Sequence, residues 1–356
     1  MDLIKSLRSI ELARLRIYDG NFDEADKVLA SVRASTDIYA LPKVAAELRL
    51  ASGIRNLQAG YWSASIDDFR RSEVMARLSA CAETAGFALC WQSHYLFNVG
   101  RVVEAAEILH RLSRAVVENA RPESRHRFCQ VVAQLLYYGG DPDRGKEWFD
   151  AARAIAGRIH SRGLFSATLF NYVAMFVWNS LVARRRIPSE SPLSAIACSE
   201  FFDAARNYDQ MTGVQNKDFL HSLLRAQILN STGRVSDALA LLTDLTQIRP
   251  QLSSMECSKI DLERAWSLSL VDGLSRREEI SELLGRSFQH LVDDDELSLA
   301  HHLMARLAAD SGDTSEEARH LDLCLHYETL LSERRERVLG IMNCLDIPGL
   351  DSVSRW

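Results

Sequence analysis

Apolar residues fall at helical spacing along most of this chain, and the pattern breaks and restarts at glycines 40 residues apart: Gly20, Gly60, Gly100 and Gly140. Gly233, Gly273 and Gly312 resume nearly the same interval. In Arg16-Ile-Tyr-Asp-Gly-Asn-Phe22 one apolar run ends before the glycine and the next begins after it. A helix that turns back on itself needs a residue at ease in the left-handed region at that point. Each unit is therefore predicted to be a pair of antiparallel helices, repeated along the chain.

Side-chain size follows the same register. Seven residues before the glycines lie Ala13, Gly53, Ser93, Ala133, Ala226 and Ala305, with Trp266 the exception. Five residues after them come Ala25, Ser65, Ala105, Gly145 and Ala238, and nine after them the large apolar Leu29, Phe69, Leu109, Phe149 and Leu242. Small residues let two helices approach closely, and the large ones fill the space opposite. A core this thin needs its neighbours to be stable.

This order of small residue, glycine turn, small residue and large apolar residue resembles the tetratricopeptide-repeat (TPR) family, in the long-repeat form of bacterial signalling and regulatory proteins. Gly20-Asn-Phe-Asp-Glu-Ala25, Gly100-Arg-Val-Val-Glu-Ala105 and Gly233-Arg-Val-Ser-Asp-Ala238 carry the likeness best, the last followed by Pro250. The period of about 40 exceeds the family's 34, and Glu278 and Glu317 stand at positions expected to be small. The resemblance implies an all-α fold, a right-handed α-solenoid of about eight antiparallel hairpins. Regular hairpins are expected over 1–160, an irregular hairpin over 161–212, regular hairpins again over 213–315, and a long capping helix with a tail over 316–356.

The resemblance also implies a concave groove lined by the first helix of each hairpin. Its lining would comprise Arg14 and Tyr18, Ile54 and Gln58, His94 and Asn98, Gln134 and Tyr138, and Gln227 and Ser231. Amides, imidazole and phenols can hydrogen-bond an extended peptide while offering apolar area. The positions at which chaperone-binding relatives hold paired cations and amides carry Ile10 and Arg14, Leu50 and Ile54, and Cys90 and His94, so a chaperone adaptor is not expected.

Composition narrows the picture. The chain has 356 residues, 47% hydrophobic, with no period-two alternation long enough for a strand. Its seven cysteines are odd in number and show no paired-thiol spacing, which argues against a disulfide framework. Charges interrupt the first residues where a secretory leader would need an apolar run, so the cytoplasm is the expected compartment. The net charge of −6 gives no general attraction to nucleic acid. Residues 1–180 hold 23 basic against 20 acidic residues, and 181–356 hold 19 against 28.

One stretch breaks the repeat. From Gly163 to Ala183 there is no charged residue, and Arg184, Arg185 and Arg186 follow. A membrane span is not expected, because Ser166, Thr168, Asn171, Asn179 and Ser180 distribute polar groups through it. Two arrangements stay open. The segment is a helix buried between hairpins, or Phe165, Tyr172, Phe176 and Trp178, with the three arginines, form an interface for a partner or a second copy.

No catalytic motif emerges: there is no phosphate loop, zinc helix or nucleophile elbow. His320 and Cys324 share a helical face but lack further ligands. The acidic run Asp293-Asp-Asp-Glu296 is predicted to cap a helix. No cofactor or metal is expected. The sequence is read as a non-enzymatic adaptor or regulatory scaffold that takes another protein or an extended peptide in its groove. The alternative is a sensor subunit that answers a ligand or peptide and controls a separate effector enzyme in a signalling or defence pathway.

Overall fold

In the computed structural model every glycine of the series lies in the left-handed region, with φ between 60° and 92°. The backbone bonds repeat at six of the seven turns, Gly273 being the exception. Asn21 N–H reaches Arg16 O, Tyr61 reaches Asn56, Arg101 reaches Leu96, Asp141 reaches Leu136, Arg234 reaches Leu229 and Asp313 reaches Ala308, all within 2.8–2.9 Å. These six-to-one bonds, with Gly20 N–H to Ile17 O beside the first, are the Schellman closure of a helix end. Ala80 and His160, at φ 52° and 53°, make the same turn without glycine, so their sequence gives no signal of it. A left-handed non-glycine residue costs roughly 1–2 kcal/mol, which the flanking helix contacts must offset.

The structure describes residues 3–35, 41–112, 120–180, 192–214, 218–247 and 252–345. Among them are sixteen helices and no strand. The first eight are α1 (Leu3–Tyr18), α2 (Phe22–Ser35), α3 (Pro42–Gln58), α4 (Trp62–Leu78), α5 (Ala82–Asn98), α6 (Val102–His110), α7 (Pro122–Gly139) and α8 (Pro142–Arg158). There follow α9 (Arg162–Ser180), α10 (Pro192–Thr212), α11 (Asp218–Ser231), α12 (Val235–Gln247), α13 (Ser254–Val271), α14 (Arg277–Ser287), α15 (Asp294–Ser311) and α16 (Thr314–Asn343).

The small and large positions interlock. A Cβ added to Gly53 of α3 would lie 2.6 Å from the Phe69 ring of α4, and one added to Gly145 of α8 would lie 2.4 Å from the Tyr137 ring of α7. Ser93 Oγ donates to Ala105 O at 2.7 Å across α5 and α6. Leu29, Phe69, Leu109, Phe149 and Leu242 are all buried. Beyond these sequential pairs, helices two apart also pack: α1 on α3, α3 on α5, α5 on α7, and α11 on α13 and α13 on α15.

The chain forms two compact units. The first comprises Met1–Tyr172, Asn207–Asn216 and Arg337–Trp356; the second comprises Val173–Arg206 and Lys217–Glu336. In the first, the start of α9 meets the end of α1 so closely that a Cβ on Gly163 would lie 2.1 Å from Tyr18 O. The last turns of α16 meet α7, with Gly139 against Leu339, and α6, where Arg337 pairs with Glu107.

Along α9 buried and half-buried residues alternate, with Phe165, Tyr172, Phe176 and Trp178 among the half-buried ones. From Gly163 to Asn179 no residue is exposed. Phe165 stacks near Tyr208 at 4.8 Å and Tyr172 meets Phe149 at 5.7 Å in the first unit, while Phe176 meets Phe201 at 5.3 Å in the second. Arg184, Arg185 and Arg186 lie outside the described residues. Among the described residues no helix is long and apolar enough to cross a membrane. On α16, Val338 and Met342 are buried, but Leu321 and Leu325 are 47% and 62% exposed, so these leucines do not cover a core. His320 and Cys324 take the inward positions instead.

Two glycine variants test this packing. Gly163→Ala is expected to lower the melting temperature clearly, because its methyl meets backbone that cannot yield. Gly157→Ala, in open space on α8, is expected to stabilise by up to about 1 kcal/mol through helix propensity alone. Thermal and urea denaturation of both variants check the pair.

Candidate functional site

In the first unit α1, α3, α5 and the start of α7 bring charged residues together. Arg14, only 1% exposed, donates from Nε to Glu123 at 3.0 Å and from Nη1 to Glu47 at 2.5 Å. Arg121 donates to both Glu47 oxygens, at 2.6 and 3.1 Å, and to Glu83 at 2.9 Å. Thr84 Oγ1 donates to Glu47 at 2.6 Å. Both guanidiniums also lie over the Phe87 ring, at 6.0 and 5.8 Å. Burial would push the Glu47 carboxyl up, but Arg14 and Arg121 override it and hold it at about 2.

Arg127 differs from its neighbours. It is 3% exposed and its guanidinium carbon sits 3.8 Å over the Trp91 ring, yet no carboxylate or other hydrogen-bond acceptor among the described residues pairs with it. The Trp91 Nε1 donor, equally buried, also has no acceptor. Burial pulls the Arg127 pKa down to about 10, with Tyr18 and Cys90 opposing. The next residue back, His126, bonds Thr168 Oγ1 at 2.8 Å and is held neutral, down to about 3, by burial and by Arg127. A buried charge without a partner costs several kcal/mol.

The residues expected to line a groove separate by depth. Arg14, Tyr18 and Gln134 are interior, so they are spent within the fold. Gln58, His94, Asn98 and Tyr138 are half-buried at the C-terminal ends of α3, α5 and α7. His94 Nδ1 lies 3.2 Å from Gln134 Oε1, Asn98 Nδ2 donates to His94 O at 2.7 Å, and Tyr138 meets Phe97 edge-on at 6.3 Å. In the second unit Gln227 donates to Glu263 at 3.0 Å. The repeat register selects these positions but not the charges at 47, 121, 123 and 127, of which 47, 123 and 127 lie one or more turns earlier on the same helices and Arg121 immediately precedes α7.

In the second unit the acidic run does not cap α15 by side-chain hydrogen bonds. Its carboxylates reach other helices: Asp293 and Glu296 to Lys259 at 2.6 and 2.8 Å, Asp294 to Arg334 at 2.8 Å, and Asp295 to Trp178 Nε1 at 2.9 Å. Burial pushes Glu296 up, and its second oxygen is buried without a donor. His301 Nδ1 lies 2.9 Å from His320 Nδ1, between the rings of Phe288 and Tyr327. One imidazole must donate and the other accept, so the accepting ring is neutral, and burial lowers the pKa of both rings. Burial and His320 pull His301 down to about 4. Glu316, 3.6 Å from the far nitrogen of His320, and Arg319 are the charged groups nearby. Among the described residues no group of three or more ligands could hold a metal.

Two stability profiles follow. Glu47→Gln leaves the buried Arg14 and the half-buried Arg121 short of negative charge and is expected to cost about 3–5 kcal/mol. Glu47 is depressed in the folded state, so its contribution is present above the ordinary value of 4.5 and is lost as pH falls toward about 2. Urea melts of wild type and variant should converge over that window. The neutral histidine pair contributes above pH 6.5 and loses stability as pH falls toward about 4. His301→Phe, which keeps the ring packing, should flatten the wild-type slope between those values.

No protein-family model matches the sequence, and no curated protein shows significant similarity to it.

Proposed function

We propose that this chain is a TPR-like α-solenoid of about eight hairpins and that it works, without catalysis of its own, as a protein- or peptide-binding regulatory scaffold in the cytoplasm. The recurring glycine turns, the interlocked small and large residues and the contacts between helices two apart support the solenoid reading. One observation carries the binding reading. Gln58, His94, Asn98 and Tyr138 form a row of half-exposed amide, imidazole and phenol groups above an interior already filled by Arg14, Tyr18, Glu47 and Trp91. A filled floor favours a partner that lies across this rim over a peptide threaded deep between the helices. Half-desolvated aromatic and amide groups are suited to anchor such a contact.

A second reading, the sensor subunit controlling a separate effector, draws on Arg127. A buried cation without a counter-charge is a place where a small ligand would alter the balance of the fold.

The test is capture of partners from the native lysate by the intact chain beside a His94→Ala, Asn98→Ala, Tyr138→Ala variant. Because all three residues lie at the rim, helicity and melting are expected to stay close to wild type while capture falls about tenfold or more. Undiminished capture by a folded variant would rule out the rim.

A further inference from the structure

We propose that Arg127 anchors an internal binding site for a small oxyanion, a carboxylate or phosphate group, on the inner face of α5 and α7 in the first unit. The arginines of this interior are not equivalent. Arg14 is neutralised by Glu47 and Glu123, and Arg121 by Glu47 and Glu83. Arg127, 97% buried by its 3% exposure, has no such partner among the described residues, and its Nε–H is without an acceptor. The missing element is negative charge.

The surroundings state what kind. The guanidinium, a planar fork of N–H donors, has its carbon 3.8 Å over the centre of the Trp91 ring. That planar fork matches the paired oxygens of a carboxylate or phosphate. The Trp91 indole N–H, also buried and unaccepted, is a second donor on the facing helix. Two donors without acceptors call for a ligand made of acceptors. The rings of Tyr18 and Phe69 stack with Trp91 at 6.5 and 5.7 Å.

Depth along the helices relates this floor to the rim. On α7 the residues Arg127, Gln130, Gln134 and Tyr138 succeed one another at helical spacing, and exposure rises only at Tyr138. On α5 Trp91 is followed one turn on by His94 and two turns on by Asn98, both half-buried. The His94–Gln134 hydrogen bond links the two helices between floor and rim.

The full-length protein is to be melted and titrated calorimetrically with sodium phosphate and, separately, with sodium acetate, each against sodium chloride at matched ionic strength. A saturable rise in melting temperature with one or both anions, absent in Arg127→Met, is expected. A response to one anion alone names the class. Arg127→Lys keeps the charge but loses the fork, and its affinity should fall about tenfold or more. No saturable response of the wild type, or an equal response in Arg127→Met, would overturn the site. If Arg127→Met does not fold, the wild-type titration and Arg127→Lys decide. Partner capture at the rim is read with different residues, so either idea can fail alone.

Discussion

The carboxylate of Glu47 organises the first unit. It accepts from Arg14, Arg121 and Thr84, which lie 33, 74 and 37 residues away in sequence and on or beside three other helices. An isolated carboxylate in such a place would take up a proton, but with two guanidiniums in direct contact it is held ionised. In turn Arg14 requires Glu123, and Arg121 requires Glu83. The inner faces of α1, α3, α5 and α7 are thereby committed to one arrangement, because displacing any one of these helices strands a buried charge.

That arrangement is reachable only because the helices sit close. Gly53 and Gly145 admit a ring where any side chain would collide, and Gly163 admits the carbonyl of Tyr18. The thin apolar layers formed in this way leave the inner surface to polar groups. Most of those groups find partners there. Arg127 Nε and Trp91 Nε1 do not, nor do His126 Nδ1 and Gln130 Oε1 on α7, and what distinguishes Arg127 among these four is its charge.

The second unit applies the same chemistry differently. Its acidic run joins α15 to α13, α16 and α9 through Lys259, Arg334 and Trp178. An acidic run before a helix resembles a cap in sequence, yet side chains with nearby cations gain more from charge-assisted bonds than from the helix dipole. Lys259 serves two carboxylates, and the more buried of them, Glu296, is driven toward its neutral form.

The sequence by itself determined the helical content, the glycine turns and the small–large register, since each depends on residues within one or two helical turns of one another. The turns at Ala80 and His160 were invisible to it because no glycine marks them. The register that selects Gln58, His94, Asn98 and Tyr138, which are half-buried, was legible, and the inward burial of Arg14, Tyr18 and Gln134 was not. Helical spacing gives the face of a helix but not how deep each position lies once neighbouring helices close over it. Only the tertiary structure decided that, and with it which charges are paired: the partners of Arg14 lie 33 and 109 residues away, and the isolation of Arg127 is a property of the whole interior.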